Sequence, residues 1–140
     1  MRTRPDDTHE TKPLRFLNAA HDDIMKLPEE VRSDLGFGLF LVQRGEMPDN
    51  ASPFEGSTGG NIMKLVERHN TDTYRCVFTA KFELAVYVLH VFKKKSSSGI
   101  STPQREIETV QARYKRAQEL YQEEFGSAPL SPPGGKKERP

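Results

Sequence analysis

The sequence predicts an α+β domain in which helices pack on a small antiparallel sheet. Two observations carry this. The apolar period is helical between His21 and Arg44, becomes strand-like between Asn61 and Phe92, and turns helical again after Pro103. The strand-like stretches are joined by Asn70-Thr71-Asp72 and Lys81-Phe82-Glu83, short enough to be hairpin turns. The expected order is β-α-α-β-β-β-α.

Each element has its own signal. Leu14 to Leu17 is a short apolar stretch suited to an edge strand. Ile24, Val31, Leu35, Leu39 and Val42 recur on one helical face. Pro28 followed by Glu29 and Glu30 suits a helix's first turn, because proline has no amide to lose there and carboxylates favour the positive end of the dipole. Two helices that break near Leu27–Pro28, with Gly45 as the stop, are therefore expected. Met47 to Gly60 is polar and rich in Pro and Gly, so a loop is expected. Strands follow at Asn61 to Arg68, Thr73 to Ala80 and Leu84 to Phe92. The last is apolar on both faces, as suits a central strand. A loop is expected from Lys93 to Thr102. A helix then opens at Pro103 with Thr102 as N-cap and runs through Glu124, with Ile107, Val110, Tyr114, Ala117 and Tyr121 as its apolar stripe and Gly126 as terminator.

The 140 residues amount to one domain, expected over 14–125. The flanks, 1–13 and 126–140, hold too little apolar surface to offset the entropy of ordering them and are expected to be disordered. No apolar run is long enough for a membrane helix, and the polar first residues do not read as a signal peptide, so a cytoplasmic location without membrane association is expected. A single cysteine, Cys76, excludes an internal disulfide and a multi-cysteine metal site; as a small apolar side chain it suits the core.

The net charge of +1 conceals an uneven distribution. Residues 1–60 carry 7 basic and 11 acidic side chains, and residues 61–120 carry 11 and 6. Either the basic part meets an anionic partner, or the acidic part folds back and neutralises it. No Walker loop, dinucleotide fingerprint or HExxH is present, and His9, His21, His69 and His90 lack metal-ligand spacing, so neither a metal nor a cofactor is expected.

The informative cluster lies in the basic part. Arg75 sits mid-strand between Tyr74 and Cys76, where a charge needs an ion-pair partner, an exposed face or a ligand. One strand later, Lys93-Lys94-Lys95-Ser96-Ser97-Ser98-Gly99 combines cations, hydroxyls and loop amides. A guanidinium fork and lysine point charges suit phosphate, although a lysine run is also what a solvated loop carries. His90 has the chemistry of a general base near neutral pH, or of a satisfied core histidine. Arg113 and Tyr114, on the last helix, face either the same concavity or, for Tyr114, the core.

Tyr74-Arg75-Cys76-Val77-Phe78, the Val86-to-Ser96 strand with its Leu89-His90 and lysine run, Gly99-Ile100-Ser101-Thr102-Pro103, and Glu106-Ile107 together resemble the phage-related toxin family of the RelE/HigB-like superfamily of type II toxin–antitoxin systems. Leu27 to Arg32 and the Pro53-to-Gly60 loop share the likeness, which spans nearly all of residues 14–123. The resemblance implies a metal-independent mRNA endoribonuclease, usually ribosome-dependent, that inhibits translation. In that chemistry a ribose 2′-hydroxyl attacks the adjacent phosphate and basic side chains stabilise the developing charge. Arg75, Lys94 and Lys95 match family positions expected to hold the scissile phosphate, with His90 as candidate base and Lys93, Ser96, Arg113 and Tyr114 as RNA contacts. The implied partners are mRNA, on the ribosome, and a cognate antitoxin, a small helix-turn-helix protein. Phe78 stands where the family commonly has tyrosine, and Ser97 and Ser98 stand where lysines are frequent. These departures keep a second expectation open: a catalytically degenerate scaffold that binds protein or RNA without cutting.

Overall fold

The computed structural model describes residues 11–57, 59–95 and 102–126, with only the backbone described at Lys95. Its elements are β1 (Leu14–Phe16), α1 (Ala20–Met25), α2 (Glu29–Gln43), β2 (Ala51–Pro53), β3 (Ile62–His69), β4 (Asp72–Thr79), β5 (Val86–Lys95) and α3 (Gln104–Phe125). They form a five-stranded sheet of order β1-β5-β4-β3-β2. Only β1 runs parallel to its neighbour, and the other pairs are antiparallel. The α+β class and the β3-β4-β5 meander are as the sequence predicts.

The apolar stripes explain the layering. Ile24, Val31, Leu35, Leu39 and Val42 are all buried, and they pack on Leu65, Cys76, Phe78 and Val88 to form one core. Gly38 lies in that contact, where an added Cβ would come within 2.9 Å of Leu65, so α2 sits close to β3 because this position has no side chain. On the other face, Val110, Ala117 and Tyr121 of α3 pack with Val77, Tyr87, Leu89, Phe54 and Phe82 in a second core. Each fully buried Leu or Val contributes about 1.5–3 kcal/mol. Covered on both faces, β5 is apolar on both sides from Val86 to Leu89 and again at Val91 and Phe92, as suits a strand between two layers, with His90 the one polar side chain between them.

Three details differ from the expectations. The Pro/Gly-rich segment holds a short strand, β2, at the sheet's outer edge, where Pro53 costs no ladder bond. Strand β5 continues through Lys93, Lys94 and Lys95 instead of ending at Phe92, because the backbone of Asp72, Thr73 and Tyr74 remains available to pair with it. Thr102 is not the helix cap: Pro103 takes that position with extended backbone and no side-chain cap bond is made, while Thr102 is buried.

Two residues ahead of Leu14 also bond to the rest of the fold. The Lys12 amide donates to the Gln43 carbonyl at 3.0 Å, its Nζ donates to the Phe82 carbonyl at 3.2 Å, and the Pro13 carbonyl accepts from Val86. The remaining flank residues, 1–10 and 127–140, lie outside the described residues. Among the described residues no helix is long and apolar enough to cross a membrane.

Candidate functional site

Residues opposite one another in an antiparallel pair share a face, and the face alternates along each strand. The register therefore sets three rows across β3, β4 and β5: Lys64, Val77 and His90; Val66, Arg75 and Phe92; and Arg68, Thr73 and Lys94. Val77 and Phe92 belong to the core under α3, so the rows lie on the α3 side of the sheet. Successive rows are about 7 Å apart, two residues along a strand. Arg75 and Lys94 are thus brought to one face, as phosphate binding would require.

His90 reaches that face through a break in the ladder. Val77 pairs with His90 but Phe78 pairs with Val88, so Leu89 is an extra residue. The bulge resets the alternation and turns both Leu89 and His90 toward α3.

Arg75 is the least satisfied group of the face. Its Nε and Nη1 are shielded from solvent and have no hydrogen-bond partner, and no carboxylate pairs with it among the described residues. Among the described residues, then, no ion pair accommodates this guanidinium. An unsatisfied buried donor costs about 1–3 kcal/mol, and more on a charged group, which an anionic ligand would recover.

His90 is held by two residues of α3. Its Nε2 lies 2.6 Å from Oε1 of Glu106, and its Nδ1 lies 3.2 Å from Nη1 of Arg113, which also donates to the Leu89 carbonyl. A guanidinium only donates and a carboxylate only accepts, so this geometry assigns the hydrogen to Nε2 and the lone pair to Nδ1. The ring stacks on Phe92 with centroids 5.0 Å apart. Both ring nitrogens are engaged in the resting site.

Lys64, at the other end of the first row, is buried and its Nζ donates to Oε2 of Glu55 at 2.9 Å. Burial pushes the Glu55 carboxyl up, but the Lys64 hydrogen bond and charge outweigh it and hold the group below the usual carboxylate range. Lys93 lies on the opposite face from Lys94, with Nζ 3.7 Å from Asp72. Lys95 pairs with Asp72 in the backbone ladder, and Ser96, Ser97 and Ser98 lie outside the described residues. Tyr114 packs beside Phe82, with centroids 6.0 Å apart, and burial raises its hydroxyl pKa. Cys76 is fully buried, which pushes its thiol up to about 12 and suits a core role.

Glu106 and Lys64 belong to the site, yet the residue types alone did not single them out as functional. Glu106 reads as a first-turn carboxylate favouring the helix dipole, and Lys64 as one more lysine on a half-exposed strand. Among the described residues no three His, Cys, Asp or Glu side chains are grouped to hold a metal ion.

The family model described as phage derived protein Gp49-like (DUF891) matches residues 22–115. The chain belongs to this Gp49-like family. The matched span contains all three rows together with Glu106 and Arg113; β1 and the end of α3 fall outside it. No curated protein matches the chain. The Gp49-like family belongs to the RelE/HigB-like superfamily, and the α+β scaffold is compatible with that placement.

Proposed function

We propose that this Gp49-like protein is the toxin of a type II toxin–antitoxin system, a metal-independent endoribonuclease that cuts mRNA, on the ribosome, and so inhibits translation in the cytoplasm. The observation that carries the reading is the Arg75 guanidinium, its two shielded donors unpartnered on the face that also presents Lys94. Family membership supports the same reading, because the superfamily includes RNA-cleaving toxins.

In this reading Arg75 and Lys94 grip the scissile phosphate and stabilise the charge that builds on it as the 2′-hydroxyl attacks, whereas the register gives Lys95, paired with Asp72, a position on the opposite face and outside this grip. Ser96 is an outlying RNA contact in this reading; Lys93, on the opposite face beside Asp72, and Tyr114, packed on Phe82, are not. His90 serves proton transfer through Nδ1. That lone pair is held by Arg113 at rest, so the role requires Arg113 to release it, and an incoming phosphate is the natural competitor for a guanidinium. The partner that restrains the activity is an antitoxin, a small helix-turn-helix protein covering or remodelling the basic face.

Engagement of both His90 nitrogens favours a second reading, a scaffold that binds RNA or protein without cutting it. One experiment separates the two. Induction of the wild-type chain alone arrests growth and translation, and Arg75→Ala relieves the arrest. A harmless wild type that leaves mRNA intact in the presence of ribosomes rules out the catalytic reading.

A further inference from the structure

The third row carries a cation that the family resemblance does not single out. Arg68 stands across from Thr73, with Lys94 on the far side of the same row. It is exposed, and its side chain has no ion-pair or hydrogen-bond partner among the described residues. Among the described residues, Glu55 meets Lys64 and Glu106 meets His90 in the first row, and Glu124 meets Tyr87 further along the same side, away from Arg68. The second and third rows contain Arg75, Arg68 and Lys94 and no acidic residue. Strand alternation places Glu67 and Asp72 on the opposite face.

The two uncompensated guanidiniums, Arg75 and Arg68, repel one another, and an anion lying across both relieves that repulsion. Arg68 is one strand over and two residues along from Arg75, a backbone separation of about 8 Å. Both side chains are long, and the two guanidiniums can hold neighbouring phosphates of one extended strand.

We propose that Arg68 is a second phosphate-binding residue, taking the backbone phosphate adjacent to the one held by Arg75. The bound strand then runs from the His90 row toward the β3–β4 turn. This inference rests on the RNA reading above and names the path of the RNA over the site.

The test measures binding of a fluorescent single-stranded 2′-O-methyl oligoribonucleotide, which lacks the attacking hydroxyl, to the full chain across a salt series. Arg68→Gln is expected to weaken binding about tenfold, the loss of one charge-assisted contact. It should also reduce the slope of log affinity against log salt by about 0.7, the loss of one single-strand phosphate contact. Lys115→Gln, which removes an exposed charge on α3, controls for net charge and should leave both quantities unchanged. If Arg68→Gln binds with wild-type affinity and slope, the Arg68 assignment is wrong and the RNA reading stands. Equal losses in the Lys115→Gln control reduce the effect to net charge and also overturn the assignment. If the wild type binds no oligonucleotide even at low salt, the RNA reading and this inference fall together.

Discussion

Replacing Arg75 with methionine should make the protein more stable while abolishing its activity. The stem of Arg75 lies between Val66 and Phe92 in its row, and methionine keeps an unbranched apolar chain there. What it removes is a charge whose Nε and Nη1 are shielded and unpartnered. Each such donor costs about 1–3 kcal/mol. The guanidinium as a whole is only partly buried, so the low end applies and the two donors together give a gain of about 1–2 kcal/mol. Relief of repulsion with Arg68 and Lys94 acts in the same direction. For a body of this size the gain corresponds to a Tm increase of roughly 4–8 °C. Urea denaturation of wild type and Arg75→Met, followed by circular dichroism, measures it directly. The midpoint should rise with an unchanged m-value, while mRNA cleavage falls to background. A structural arginine behaves oppositely, because its removal orphans partners. A loss of 1 kcal/mol or more in Arg75→Met would refute the argument, since it would mean the guanidinium is satisfied within the folded chain.

Three further expectations can be checked by the same methods. Glu106→Ala leaves the His90 Nε2–H in a mostly closed pocket without its acceptor and should cost about 1–3 kcal/mol; a variant as stable as wild type shows that the 2.6 Å contact contributes nothing in solution. Glu55 is held below the ordinary carboxylate range when folded, so its contribution is present above that range and is lost as pH falls through it. Wild type should therefore exceed Glu55→Gln in urea midpoint at pH 7, with the gap closing as pH falls below about 4; a gap that persists in acid contradicts this. Gly56→Ala meets both a positive φ of 87° and a Cβ contact of 2.9 Å with Ile107, and should destabilise by about 1–2 kcal/mol or more, seen as a lower Tm.

Elements whose burial is periodic were legible in the sequence. Val31, Leu35, Leu39 and Val42 specify the inner face of α2, and Val110, Ala117 and Tyr121 that of α3, because one buried stripe per helix is a local pattern. The last turns of β5 were not, since three consecutive lysines read as a solvated loop, yet the hairpin partner Asp72–Tyr74 continues the ladder through them. The placement of Arg75 and Lys94 on neighbouring strands was legible, but the separation of Lys94 from Lys93 required the register. His90 was harder still. Its orientation depends on the bulge at Leu89, and its partners lie 16 and 23 residues along on another element, a distance over which no periodicity acts. The Glu55–Lys64 pair likewise joins a loop to a strand through the fold.

The near-neutral total charge is a poor guide to the affinity of the basic face. The acidic side chains Asp22, Glu29, Glu30 and Asp34 sit on α1 and α2, on the far side of the sheet from Arg68, Arg75 and Lys94. The sheet and its covering helices separate the two sets by about 10 Å or more. At physiological ionic strength the Debye length is about 8 Å, so the carboxylates are largely screened from a ligand on the α3 side. The field such a ligand meets is set by the second and third rows, where Arg75 and Arg68 lie without a carboxylate partner among the described residues. Lowering the salt lengthens the range of both sets, so the acidic layer should oppose RNA most where simple counterion release favours it. Binding plotted against salt should therefore flatten at the dilute end, and neutralising Glu29, Glu30 and Asp34 together should restore a straight line without altering affinity at physiological salt. A plot that is already straight in the wild type would show that the two layers act on the ligand independently at every salt concentration.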